Sequence, residues 1–442
     1  MKGFNPSFRR QVSGLILLSI VGCFFLTGSA QELQKQDIVS VEKTPLWMER
    51  LRPCALDLLF EWEGRVYILA GPGDLKTLDG LRIPYVFESH RFPGLISGFP
   101  LPQGGINGAY HTSRELEADL QLLERSFPNL AKLETIGESL ERRKIYALKI
   151  SDHAAVEEEE AEIFFLGCHH AREWISVEVP YLLAKFLLEH YAADAEVRRI
   201  VDQSEIWIAP LINPDGLEYT IQYYRYWRKN RRFNSDGSFG VDINRNYGYN
   251  WGYDNEGSSP EPASETYRGL AAFSEPETQA VRDFFLARNF RALVSYHSFS
   301  QLILYPWGYA DTPSDKEAEL KAIAAAMSER MQPANGRVYG FGRAGSLLYV
   351  TNGDLTDWAF GVSGIPAYTI ELPPVDQLGG GFFNAEQDIV PIFNENLPAA
   401  LYLIDWSIQN FSPSPAFAPE VRTKALTSRK SKSPLRGDRD QQ

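Results

Sequence analysis

From Thr112 onward, apolar runs of strand length alternate with stretches of helical spacing. An amphipathic segment, TSRELEADLQLLERSF, opens the series, and its Thr-Ser start with an early Glu marks a helix N-terminal cap. KIYALKI, EIFFLGC, EIWIAPLIN, ALVSYH and PAYTIEL then read as strands. ISVEVPYLLAKFLLEHY, EPETQAVRDFFLAR, KEAELKAIAAAMSERM and the region around NENLPAALYLIDW read as helices. Apolar strands of this kind are stable only when helices cover them. The alternation predicts an α/β protein with a central twisted sheet, mixed parallel and antiparallel, flanked by helices.

A shorter series precedes this one. GRVYILAG alternates like a strand, DLKTLDGL has helical spacing and IPYVFES is extended, which predicts a small α/β unit over residues 31–105. The Pro/Gly-rich stretch FPGLISGFPLPQGGINGAYH reads as the linker to a longer domain over 106–410, and the Pro/Ser-rich, basic residues 411–442 read as a disordered tail. Residues 1–30 have a basic start (Lys2, Arg9, Arg10), an apolar run from Leu15 to Leu26 and then Gly28, Ser29 and Ala30. That is the layout of a secretory signal peptide cut after Ala30, so the expected location is secreted or periplasmic; a lipoprotein anchored through Cys23 is the alternative. The apolar run is too short for a bilayer, and nothing later reads as a transmembrane helix.

After such a cut only Cys54 and Cys168 remain, and two free thiols are expected rather than a disulfide framework. The formal charge of −13 understates the acidity of the body, because both ends of the chain are basic. So acidic a body disfavours nucleic acid or anionic lipid as partners. The run Glu157–Glu160 lies between two strands and is expected to be a solvated hairpin tip, since it lacks the Gly and spaced oxygens of a calcium loop.

In open α/β sheets ligands gather beyond the carboxyl ends of the strands. Four such ends carry polar residues: HHARE after EIFFLGC, NPDG after EIWIAPLI, His297 closing ALVSYH and Glu371 closing PAYTIEL. The chain has only 7 histidines, and two of these ends hold three of them. With a helix starting near His170, His170 and Glu173 are i and i+3 on one face and reach a common ion. His169 then points elsewhere, since its own i+3 partner is Arg172, and a guanidinium binds no metal. His297 from a neighbouring strand end completes two imidazoles and one carboxylate. A fourth tetrahedral position stays open for water, which is the form of a catalytic zinc site with one ion per chain.

HARE at 170–173, YWRKNRR at 226–232, DINRNY at 242–247, HSFSQLILYPWG at 297–308, YVTNGDLTDW at 349–358 and TIEL at 369–372 together resemble the zinc carboxypeptidases of the A and B type. The resemblance spans about residues 108–410 with the motifs in order. It implies hydrolysis of the C-terminal peptide bond of peptides and proteins. His170, Glu173 and His297 fall on the family's zinc ligands, Glu371 on its general base and Arg228 on the arginine that polarises the scissile carbonyl. Asn244 and Arg245 fall on the residues that hold the substrate's terminal carboxylate. Tyr349 falls on the mobile tyrosine that closes over substrate, Asp242 on the carboxylate that orients the first zinc histidine, and Arg172 on a subsite arginine upstream of the scissile bond. The resemblance also implies that the small unit is a pro-domain, released by an activating protease that cuts near residues 90–110; a non-inhibitory accessory domain is the alternative.

Thr356 falls where the basic-specific members carry Asp, which argues against a strict Lys/Arg enzyme. Asp354 lies where some bacterial relatives of mixed preference have an acid, so apolar or aromatic C-terminal residues with tolerance of basic ones are expected. Two other functions share the same residues: a zinc amidohydrolase acting on D-residue or γ-linked peptidoglycan peptides, and a catalytically inactive peptide-binding module.

Overall fold

The computed structural model describes residues 37–88 other than 52, 53, 55 and 63, then 108–375 and 380–412. The expected signal peptide, linker and basic tail lie outside these residues, apart from a few at their edges.

The N-terminal unit runs β1 (Asp37–Glu42), α1 (Pro45–Leu51), β2 (Asp57–Trp62), β3 (Arg65–Ala70), α2 (Pro72–Gly80) and β4 (Tyr85–Phe87). Its strands pair in the order β2-β3-β1-β4, with β1 antiparallel to both β3 and β4. The expected strand, helix and strand are therefore β3, α2 and β4, but β1 is threaded between the two strands to give a split, ferredoxin-like β-α-β-β-α-β unit. RVYILA is apolar at almost every position because β3 is buried on both faces. Val66, Ile68 and Ala70 join Val39, Val41, Leu51 and Leu78 in the unit's own core. Tyr67 and Leu69 point the other way and, with Ile38, pack against Tyr226 and Phe382 of the larger part of the chain.

The larger part contains α3 (Ser113–Ser126), β5 (Ala131–Glu138), β6 (Lys144–Ile150), β7 (Ala161–Gly167), α4 (Ile175–His190), α5 (Ala195–Val201), β8 (Ser204–Ala209) and α6 (Pro214–Gln222). It continues through α7 (Pro276–Leu286), β9 (Phe290–Ser298), β10 (Leu302–Tyr305), α8 (Glu317–Asn335), β11 (Gly340–Arg343), α9 (Ala344–Leu347), α10 (Leu355–Ser363), β12 (Ala367–Leu372) and α11 (Ile389–Gln409). The predicted cap at Thr112 forms in full: its hydroxyl accepts from Glu115 N, and the Glu115 carboxylate accepts from Thr112 N.

Eight strands form one mixed sheet in the order β11-β10-β12-β9-β7-β8-β6-β5. The four central strands β12, β9, β7 and β8 are parallel, and β10, β6 and β5 add antiparallel pairing toward the edges. Their carboxyl ends, at Gly167, Ala209, Ser298 and Leu372, lie along one side of the sheet, where the polar residues of the sequence census collect. Glu157–Glu160 is not a hairpin tip, because β6 and β7 do not pair: β8 lies between them, and the 151–160 loop crosses over its end. Both cysteines among the described residues, Cys54 and Cys168, are free thiols. No helix among them is long and apolar enough to cross a membrane.

Candidate active site

His170 and Glu173 lie in the connection between β7 and α4, and not on the helix itself. Helix α4 begins at Ile175, so the expected start near His170 is too early by more than a turn. The i, i+3 relation survives because a turn replaces the helix, with Glu173 N donating to His170 O at 3.2 Å. Gly167 makes this turn possible. A Cβ there would lie 1.9 Å from Ser176 O, so β7 can end against the first turn of α4 only with glycine.

Three ligand atoms converge. His170 Nδ1 is 2.8 Å from Glu173 Oε1, His297 Nδ1 is 3.0 Å from Glu173 Oε2, and the two Nδ1 atoms face each other at 3.1 Å. All three residues are buried. Two facing ring nitrogens at such a distance leave no room for a proton on each. A tetrahedral zinc with Zn–N of about 2.0–2.1 Å holds its ligand atoms roughly 3.3 Å apart, so the donor set fits the ion in both chemistry and spacing. Burial alone would push the Glu173 carboxyl up, but His170 and His297 hold it well below the usual carboxylate range. It is thus a charged ligand.

The far nitrogens of both rings are held. His297 Nε2 lies 3.1 Å from Ser295 Oγ, and His170 Nε2 lies 3.3 Å from Asp242 Oδ1. Such partners fix the tautomer and aim the ligating nitrogen. Asp242 is fully buried yet held well below the ordinary range, because Arg228, His170 and Arg245 outweigh the burial. Its other oxygen takes Arg228 Nε and Nη2, each at 2.9 Å. His169 turns away, as spacing predicts: its Nε2 lies 2.8 Å from Tyr247 Oη, and its ring stacks on His297 at 5.6 Å between centroids. Cys168 is buried and packed beneath the turn.

Glu371 on β12 is in register with His297 on the parallel neighbour β9, so the two side chains share one face of the sheet. Burial pushes its carboxyl up to about 8, with Glu173 adding to the rise against the pull of His297, Arg228 and Arg245. Arg245 donates from Nε to Gly257 O at 2.7 Å and from Nη1 to Asn244 O at 2.9 Å; Asn244 Oδ1 accepts from Leu355 N. The Tyr349 ring stands 6.0 Å from the Arg245 guanidinium and is 37% exposed, at the rim of the site. Arg172 is buried, with its guanidinium 4.0 Å over the Phe382 ring.

A cavity of about 650 Å³ joins these groups: His170, Glu173, Arg172, Arg228, Arg245, Tyr349 and Glu371 all line it. Its remaining wall includes Met48, Leu51, Cys54, Leu56 and Val66 of the N-terminal unit, which therefore covers the site. Thr356 and Asp354 are not on the wall. Asp354 caps α10, accepting from Asp357 N at 2.9 Å and from the hydroxyls of Thr356 and Thr351 at 2.8 and 2.5 Å.

Asn213, within the NPDG strand end, has a role that sequence reasoning left unassigned. Its Oδ1 caps α6 through Gly216 N, and its Nδ2 donates to the carbonyls of His169 and Lys229. One side chain thereby ties the HHARE turn to the WRKN segment, and Ala171 N donates to Arg228 O beside it. Its position just past a strand end was the available signal.

A family profile described as zinc carboxypeptidase matches residues 116–399. The chain belongs to the zinc carboxypeptidase family. Zinc carboxypeptidase A 1 of Anopheles gambiae is 33% identical over 302 residues, covering 67% of this chain and 68% of that protein. Carboxypeptidase B of Astacus astacus is 35% identical over 293 residues, covering 65% of this chain and 93% of that protein. The crystal structure of the carboxypeptidase A from Helicoverpa armigera superposes with a TM-score of 0.70 over 87% of this chain and 100% of that one, at 23% identity. That coverage takes in the N-terminal unit and establishes a shared fold. As a zinc carboxypeptidase the chain is a metallopeptidase whose cofactor is zinc, with His170, Glu173 and His297 as the group able to hold it. These relatives give no support to the amidohydrolase reading or the inactive binding module.

Proposed function

We propose that this zinc carboxypeptidase removes single residues from the free carboxyl ends of peptides, with apolar or aromatic residues preferred and basic ones tolerated. The observation that carries the reading is that Glu371, in register with His297, lines one cavity together with Arg228 and Arg245. Arg245, flanked by Asn244, takes the terminal carboxylate, and its planar guanidinium suits a two-point grip. Its two backbone hydrogen bonds hold it in place before substrate arrives. Arg228, fixed by Asp242, presents positive charge to the carbonyl oxygen and stabilises the oxyanion. His170, Glu173 and His297 would hold the zinc, which would supply Lewis acidity to activate a water in the cavity. Glu371 accepts the water proton and returns it to the departing amine nitrogen. Tyr349 closes over the bound residue from the rim, and Arg172 steadies the chain upstream.

Preference is read from Thr356 and Asp354. Threonine offers a basic side chain no charge. The Asp354 carboxylate, already engaged by two hydroxyls and a backbone N–H, provides distant negative potential only, which supports tolerance rather than selectivity. Residues 31–105 act as a pro-domain over the cavity, export follows from the signal peptide, and a protease cutting within 90–110 opens the site. Digestion of peptides differing only in a free or amidated carboxyl end, before and after limited proteolysis of the linker, tests this. Stepwise loss of residues from the free-ended peptide alone, faster after proteolysis, is expected.

A further inference from the structure

The loop joining β6 to β7, residues 151–160, lies at the amino end of β7, whereas the zinc ligands follow its carboxyl end. It carries the acidic run, but its side chains are organised. Asp152 Oδ1 and Glu158 Oε2 each lie 3.2 Å from His153 Nδ1, and one ligand atom from each of the three residues falls within 4.8 Å of the others. Beneath them sits Glu205, 0% exposed. Its Oε1 accepts from Glu158 N and from Lys149 Nζ, both at 2.7 Å, and so fixes the loop from below. Its Oε2 is shut off from solvent and has no hydrogen-bond partner among the described residues, and the same is true of Glu160 Oε2.

Buried carboxylate oxygens without partners are costly. Lys149, at the base of the loop, is already shared among Glu205, Glu157 at 3.9 Å and Val156 O. The loop thus gathers more negative charge than its own cations neutralise and aims two carboxylates at one imidazole nitrogen. We propose that Asp152, His153 and Glu158 form a second divalent-cation site, on a loop that Glu205 fixes through Glu158 N. An imidazole beside two carboxylates suits zinc or a similar borderline ion, whereas calcium and magnesium take all-oxygen sites. His153 is 63% exposed, so the ion enters from solvent and completes its shell with water. Bound there, it ties Asp152 to Glu158 across the loop.

Zinc titrated calorimetrically into full-length protein that already holds one equivalent tests the site, with metal analysis after dialysis as a second readout. A second equivalent is expected. It should be lost in His153→Ala and in Glu158→Gln and kept in His190→Ala, while all three variants retain the first equivalent and the peptidase rate. Binding of one equivalent only, or a second equivalent that survives His153→Ala, overturns the proposal.

Discussion

Arg228 and His170 share one carboxylate: Asp242 Oδ2 lies 2.9 Å from both Nε and Nη2 of Arg228, while Oδ1 lies 3.3 Å from Nε2 of His170. One buried charge thus steadies both a residue of the group able to hold zinc and the guanidinium proposed to face the oxyanion. Asp242→Asn keeps the volume and removes the charge. Zinc affinity should fall about 10–100-fold, as for other partners of metal-bound histidines, and kcat/KM should fall at least as far. Competition with a chelator and steady-state kinetics measure the two effects separately.

Gly167 tests how the ligand turn is built. A Cβ there would meet Ser176 O at 1.9 Å, so Gly167→Ala must push β7 away from α4. Overpacking of this kind costs about 1–3 kcal/mol. Because the displaced segment carries His170 and Glu173, zinc content after dialysis should drop along with the midpoint of denaturant unfolding.

His111 gives stability a pH dependence. Burial alone would lower its pKa, but Glu178 and Asp119, on either side of the ring, raise it to about 9. A histidine raised in the folded state stabilises fully below its unfolded value of about 6.5, and that contribution is lost as pH rises through the folded value. The advantage of the native protein over His111→Gln should be on the order of 2–3 kcal/mol at pH 6 and nearly vanish by pH 10. Thermal unfolding of both at the two pH values checks this.

The N-terminal unit docks through the second face of its sheet. Tyr67→Ala leaves Val39, Val41, Val66 and Ile68 untouched in the unit's own core, but empties the contact with Tyr226 and Phe382. Loss of about 1.4 kcal/mol of docking is worth tenfold in the open population, so the uncut chain should turn over peptide about tenfold faster or more. Ile68→Ala, by contrast, should destabilise the unit itself, which heat unfolding separates from undocking.

The zinc ligands were legible because spacing is a local property: two residues three apart, plus a histidine ending the next apolar strand, sufficed to set His169 aside. The helix start near His170 was misplaced, since i, i+3 proximity is common to a tight turn and a helix, and the turn here depends on Gly167 touching Ser176, a contact between different elements. In the small unit, β3, α2 and β4 were readable, but the insertion of β1 between β3 and β4 is a long-range pairing that no local period encodes. The hairpin expected at Glu157–Glu160 failed for the same reason, with β8 taking the place between β6 and β7. Asn213 escaped notice because its task, joining two loops by one amide, exists only once the chain has folded.

The central claim is that Glu371, beside His297, carries the proton in zinc-dependent removal of C-terminal residues. Its most direct test is Glu371→Gln, assayed on a blocked dipeptide with a free carboxyl end, with zinc measured in the same preparation. Zinc retained at the level of the unsubstituted protein, with kcat reduced by about 10²–10⁴-fold, is the predicted result. An unchanged kcat with zinc in place would contradict the account.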